Sequence, residues 1–157
     1  VVLSLGLLIY VSAFPHMPEL GRRPGTRAFL NVDEYPDSET YPGLLVMRFD
    51  AGLFFATADA LEDGIRERAQ AADPPLQAVV LDFEGVNFID SQGTDEVGKI
   101  VALANAAGAE IRLARVKAPV QQMLDRDGVI GSLGADKIYA NVYQAVADLI
   151  PQDTESS

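Results

Sequence analysis

Cysteine is absent from this 157-residue chain, and histidine occurs once, at His16. Disulfides and thiolate metal sites are therefore excluded, and a histidine-based metal or catalytic centre lacks its material. Basic residues are scarce too. Twelve Lys and Arg stand against 23 Asp and Glu, a net charge of −11. Nucleic-acid backbones attract Lys and Arg, so this balance argues against general nucleic-acid binding. There is no Gly-x-Ser-x-Gly elbow for a hydrolase nucleophile. No Gly-Lys is followed by Ser or Thr, so a P-loop is missing as well. These absences point away from an enzyme. Hydrophobic residues, in contrast, make up 48% of the chain, enough for a sizeable core in one domain.

The charge is unevenly spread. Residues 1–32 carry three arginines and one glutamate, whereas residues 33–157 carry nine basic and 22 acidic groups, a net −13. Residues 1–14, VVLSLGLLIYVSAF, have no charge at all. As a helix this stretch reaches about 21 Å, short of the roughly 30 Å of a bilayer core. It is apolar on every side and shows no amphipathic stripe, unlike a helix that covers a core. Val11-Ser12-Ala13 resembles a signal-peptide cleavage site, but a basic leader and an initiating methionine are missing. The third reading is the end of a transmembrane helix. His16, Arg22, Arg23 and Arg27 would then follow the span, and positive charge there marks the cytoplasmic side. Residues 15–42 read as a linker. Pro15, Pro18, Pro24, Pro36 and Pro42 break any long helix, and Phe29, Leu30 and Val32 suit a short extended piece docked on a domain. The polar tail 151–157 is expected to be disordered.

From residue 43 to 150 the pattern is regular. Leu45, Met47 and Phe49 alternate along a strand over 44–50, and a turn at Ala51-Gly52 predicts a hairpin with 52–56. Ala58, Leu61, Ile65 and Ala69 follow a helical period behind Thr57 as N-cap. Residues 76–83 form a near-continuous apolar run, the mark of a central strand covered on both faces. Val97, Ile100, Val101 and Ala104 share one helix face. Residues 109–116 alternate, which predicts a strand with one wetter side. Pro119 opens a helix with Val120, Met123 and Leu124 inward. A short strand spans 136–140, and Asn141 caps a last helix. The order β-β-α-β-α-β-α-β-α predicts an α/β domain: a mixed, mostly parallel sheet flanked by about four to five helices, with one antiparallel strand from the opening hairpin.

Ligands of such sheets bind at the carboxyl ends of the strands. There the sequence reads DFEGVNFIDSQGTDEVGKI. Asp90 or Ser91 can cap the following helix, and the plain reading of Asp-Ser before a helix is a cap. The free N–H groups of that turn also attract anions. The stretch AVVLDFEGVNFIDSQGTDEV resembles the signature of the STAS domain, shared by sulfate transporters and anti-sigma-factor antagonists, and the resemblance extends over about 43–150. LGRRPGTRAF and YPGLLVMRFDAGLFFATAD resemble the membrane-to-STAS junction of SulP-family anion permeases. The resemblance implies a STAS-type fold and a cytoplasmic regulatory domain at the cell membrane. Its partner would be the membrane domain of the same transporter, to which residues 1–14 would belong. It also implies a capacity for purine nucleotides, GTP or GDP, and for cytosolic protein partners. No cofactor or metal is required. Ser91 aligns with the phosphorylated serine of the antagonists. Asp90, Ser91, Gln92, Gly93 and Thr94 form the candidate nucleotide- or anion-binding turn. Gln92 and Thr94 depart from the antagonist pattern, which has a small hydroxyl residue and an apolar residue there. The alternative is a freestanding phospho-switch of the antagonist type, though such antagonists lack the hydrophobic lead and the arginine-proline linker.

Overall fold

The near-continuous apolar run over 76–83 becomes a strand in which every residue of Ala78–Asp82 is buried. A computed structural model describes residues 4–5 and 15–153. Apart from those two positions, the expected membrane segment 1–14 lies outside the described residues, as does the end of the tail, 154–157. In chain order the elements are β1 (Leu20–Arg22), β2 (Phe29–Asn31), β3 (Leu44–Arg48), α1 (Ala58–Ala71), β4 (Ala78–Asp82), α2 (Ser91–Ala106), β5 (Glu110–Ala114), α3 (Ala118–Arg126), α4 (Val129–Leu133), β6 (Ile138–Tyr139) and α5 (Val142–Val146). A 3-10 turn over Ala135–Lys137 leads into β6.

The sheet is four-stranded, ordered β3-β4-β5-β6, and every neighbouring pair is parallel. Side chains alternate across it. Leu45, Met47, Val79, Leu81, Ile111 and Leu113 face one core with Leu61, Val97, Ile100, Val120 and Leu124 from the long helices. Leu44, Val46, Ala78, Val80 and Ala114 face a second core with Val142, Ala145, Val146 and Ile150. Helices that connect successive parallel strands in one direction fall on one face, because each crossover is right-handed. The other face is therefore left to α5 and to the β1-β2 pair, whose Leu20 is 2% exposed and whose Phe29 packs on the second core.

Several expectations change. The strand over 44–50 forms, but its hairpin with 52–56 does not. Residues 16–19 run antiparallel along the outer edge of β3 instead. Arg48 N–H donates to the Pro18 carbonyl at 3.0 Å, Asp50 N–H donates to His16 O at 3.0 Å, and Glu19 bridges Met47. With that edge occupied and β4 on the other side, β3 has no edge left for a hairpin partner. Pro18, which lacks an N–H, fits where a carbonyl alone is needed. The antiparallel contribution thus comes from the stretch read as a linker. Thr57 precedes α1 without capping it through its side chain, because its hydroxyl donates back to the Gly52 carbonyl at 2.5 Å. The wetter side expected of β5 is closed. Arg112, 3% exposed, is covered by α5 and donates to Ala145 O at 2.8 Å and to Asp148 Oδ1 at 2.5 Å. Helix α4 was not anticipated: Gly128, at φ 80°, turns the chain out of α3 and into it.

Because Leu20 completes the second core, Leu20→Ala should destabilise the domain by about 2–4 kcal/mol, as other buried leucine truncations do. Urea unfolding followed by circular dichroism checks this. A loss below about 0.5 kcal/mol, the level of a surface change, would show that the β1-β2 pair is a tether rather than core.

Candidate functional site

Helix α2 begins where three segments converge. The loop after β3 brings Leu53 beside the loop after β4: Leu53 N–H donates to Phe88 O at 2.9 Å, and Asp90 N–H donates to Leu53 O at 3.1 Å. Asp90 is the cap. Its Oδ1 accepts from Gly93 N–H at 2.9 Å, and its carbonyl accepts from Thr94 N–H at 2.9 Å. Gly93 is buried here, and a Cβ at this position would run into the Leu53 carbonyl and lie 2.7 Å from Ile89 Cγ1. Glycine is thus required by the close approach of helix and loop, and the residue offers a ligand no open face.

The five candidate residues therefore divide. Thr94 is fully buried, and its hydroxyl lies 2.9 Å from Ser91 O and 2.6 Å from Asp127 Oδ2. Asp90 is spent on the cap. Ser91 and Gln92 are exposed, on different flanks. Gln92 borders a shallow groove with Phe55, Asp59 and Asp95 toward α1. Ser91 faces the end of α3, where its Oγ accepts from Arg126 Nη2 at 3.4 Å. Arg126 also donates through Nε to Asp127 Oδ1 at 2.9 Å. The guanidinium, and after it the Thr94 hydroxyl, hold the Asp127 carboxyl below its ordinary range. Arg126 and Asp127 lie about 35 positions from Ser91 and carry no local motif, so only the folded chain shows their place.

A groove of about 360 Å³ opens beside Ser91, lined by Asn87, Phe88, Ile89, Pro119, Val120 and Met123. Lys117 stands at its rim, with Nζ 2.5 Å from Asn87 Oδ1. Phe88 is 58% exposed and Phe55 74%, and both rings pack against Phe54 at centroid distances of 6.4 and 5.7 Å. Large exposed aromatics that flank a polar turn suit contact with another molecule.

Further along α2, Glu96 faces Glu62 of α1, and both are more than nine-tenths buried. Lys99 Nζ lies 2.5 Å from Glu62 Oε2 and 3.8 Å from Glu96 Oε1, and Arg66 also pairs with Glu62. Burial, and then hydrogen bonding to Glu62, push Glu96 up to about 7. Glu62 is held below its ordinary value, first by the hydrogen bond with Glu96 and then by Lys99. Among the described residues, no group of three or more His, Asp or Glu is arranged to hold a metal. No helix among them is long and apolar enough to cross a membrane.

Comparison with known proteins locates this arrangement. A family model for the STAS domain matches residues 35–145. The probable sulfate transporter 4.2 of Arabidopsis thaliana is 29% identical over 168 residues, covering 98% of this chain and 25% of that protein. The murine solute carrier 26 family member A9 anion transporter, in its inward-facing state, superposes with a TM-score of 0.81 at 19% identity, over 94% of this chain and 24% of that one. The STAS domain of a SulP transporter from Vibrio cholerae gives a TM-score of 0.59 at 19% identity, over 74% of this chain and 88% of that one. The chain spans about a quarter of the length of the curated relatives it matches.

Glu96 binds its proton more tightly in the folded chain than at the unfolded value near 4.5. Its contribution to stability is therefore present below about pH 4.5 and is lost as pH rises through about 7. Relative to wild type, Glu96→Gln should gain stability over that window, reaching about 1–2 kcal/mol at pH 8. Calorimetry in steps from pH 4.5 to 8 checks this. A difference between the two proteins that does not change with pH would show that burial beside Glu62 does not raise Glu96.

Proposed function

The chain belongs to the STAS-domain family, and on that premise we propose that it is the cytoplasmic regulatory domain of a SulP-type anion transporter, with sulfate as the anion carried. The reach of the similarity carries this reading. It takes in 98% of the chain, so the apolar stretch 1–14 and the β1-β2 pair align with a sulfate transporter along with the domain itself. A charge-free segment followed by Arg22, Arg23 and Arg27 fits a membrane span with its cytoplasmic flank. The domain has no catalytic role in this reading. It binds the membrane part of its own transporter or a cytosolic protein and modulates transport.

Ser91 is the control point of the proposal. It is exposed, lies at the carboxyl edge of the sheet, and sits between the Phe88 side of the groove and the end of α3. Phosphate there adds about −1.5 to −2 charge at pH 7. The helix start and Arg126 favour that charge, while Asp127 and Asp90 oppose it, so the fold changes little and the docking surface changes much. In the intact transporter, Ser91→Glu should alter sulfate uptake at least about twofold relative to Ser91→Ala, while the melting temperature of each stays within a few degrees of wild type. Equal uptake by both variants and wild type would make Ser91 a structural neighbour of the cap only.

The groove beside Ser91 is the place for a purine nucleotide, GDP or GTP. Phe88 offers a ring for the base, and Lys117 and the Ser91 hydroxyl offer contacts to phosphate. Gly93 and Thr94, whose N–H groups are taken by Asp90, lie outside this contact set. An NMR titration with GDP should move the amides of Asn87, Phe88, Ser91 and Lys117 first. Affinity should be no tighter than about 1 μM, or about −8 kcal/mol. Shifts confined to other parts of the domain would overturn the placement.

A further inference from the structure

The globular part of this chain is strongly acidic, yet one groove on it is lined by arginines and no carboxylate. It lies between the β1-β2 turn and α5, at the carboxyl ends of β5 and β6, and shares no lining residue with the groove at Ser91. Its volume is about 410 Å³, and its walls are Arg27, Phe29, Arg115, Asn141, Tyr143 and Gln144, with Ala28 and Val142 between them. We propose that this groove binds a tetrahedral oxyanion, a phosphate or sulfate group, between the Arg27 and Arg115 guanidiniums. The proposal goes beyond the transporter reading and stands on the groove alone.

Each guanidinium is held for the task by a different device. Arg27 is exposed, and its guanidinium lies over the Tyr143 ring at 4.9 Å. Stacking on an aromatic face fixes the fork and leaves its edge N–H groups free for an oxyanion. Among the described residues Arg27 forms no ion pair, whereas Arg22 on the same ring, at 5.3 Å, is satisfied by Asp153 at 2.5 Å. Arg115 stands at φ 55°, a conformation uncommon for any residue but glycine. Its Nε donates to Asp82 Oδ1 at 3.0 Å, and Nη2 donates to Asp82 Oδ2. Asp82 is fully buried, so this pair anchors one side of the fork, while Nη1 makes no hydrogen bond among the described residues and Arg115 itself lines the groove. Asp82 and Asp153 are thus each engaged by an arginine, Glu84 stands near Arg115 outside the groove lining, and Arg22 and Arg27 share the Tyr143 ring. Arginine forks match tetrahedral oxyanions in geometry as well as charge. The sheet edge is also where open α/β folds bind their ligands.

The ligand can come free from solution or as the phosphate of a lipid headgroup. The full chain in detergent micelles is titrated with inorganic sulfate, inorganic phosphate and glycerol 3-phosphate, each against chloride at equal ionic strength, and followed by NMR. The amides of Arg27, Ala28 and Asn141–Gln144, and the Arg27 and Arg115 Nε signals, should shift together, with millimolar or tighter affinity. Arg27→Gln should weaken binding about tenfold, the loss of one charge-assisted contact. Arg23→Gln, which removes an equally exposed charge outside the groove, should change it less than twofold. Tighter binding of glycerol 3-phosphate than of inorganic phosphate would assign the site to a headgroup, and the reverse would assign it to a free anion. Each of these supports an oxyanion site. Equal losses from Arg23→Gln and Arg27→Gln, or no selective shift at these amides, would overturn it.

Discussion

A parallel strand that is buried along its whole length needs cover on both faces, and β4 is such a strand. The long helices α1, α2 and α3 cover one face because right-handed crossovers put them all on the same side. That leaves the other face to a five-residue helix, α5, which is too small to cover it alone. The β1-β2 pair and residues 16–19 complete the cover. Leu20 enters the second core, and the Pro18 and His16 carbonyls close the edge of β3. The segment that joins a membrane to this domain, in the proposed reading, is therefore also a structural part of it. A pull or twist on that segment reaches β3 and the second core directly.

The two faces also differ in how they handle charge. The helix-covered face is apolar, with ionisable groups kept to its margin at the Glu62–Glu96 pair. The face under α5 carries the buried Arg112 and the partly exposed Arg115, each matched to carboxylate. Arg112 meets Glu110 and Asp148 beside the Tyr139 ring, and Arg115 meets Asp82. Removing one member of such a pair leaves a charge without its partner, which costs more than the pair contributes in place. Arg27 differs from this group because it stacks on Tyr143 without entering a pair among the described residues.

At the start of α2, one close contact organises the rest. The Leu53 carbonyl receives Asp90 N–H and touches Gly93, so the loops after β3 and β4 are locked to the first turn of the helix. This lock sets Ser91 outward and Thr94 inward. It also presents Phe55 and Phe88 on the same edge. Family membership, shown by the STAS model over residues 35–145, is consistent with this arrangement of a DSxGT turn behind a buried strand.

Periodicity alone located β3, β4, β5 and the helices α1, α2, α3 and α5, because alternation and the 3.6-residue period are local properties. A cap at Asp90 or Ser91 was legible for the same reason, but only the folded chain assigns it to Asp90 and sets Gly93 against the Leu53 carbonyl rather than a ligand; a short extended piece around Phe29 was readable from its apolar residues. What local pattern could not decide was pairing. The hairpin expected at 44–56 failed because residues 16–19, some thirty positions earlier, occupy the edge of β3. Arg112 sits on a strand position that reads as wet, and only the packing of α5 and Asp148 makes it dry. The partners of Ser91 and Thr94, Arg126 and Asp127, come from the end of another helix. The arginine groove joins positions 27, 115 and 143. The sequence by itself determined which segments become strands and helices and which turn resembles a known signature. Tertiary structure decided which edge is open, which charge is buried and which distant side chains meet, since these depend on contacts between residues far apart in the chain.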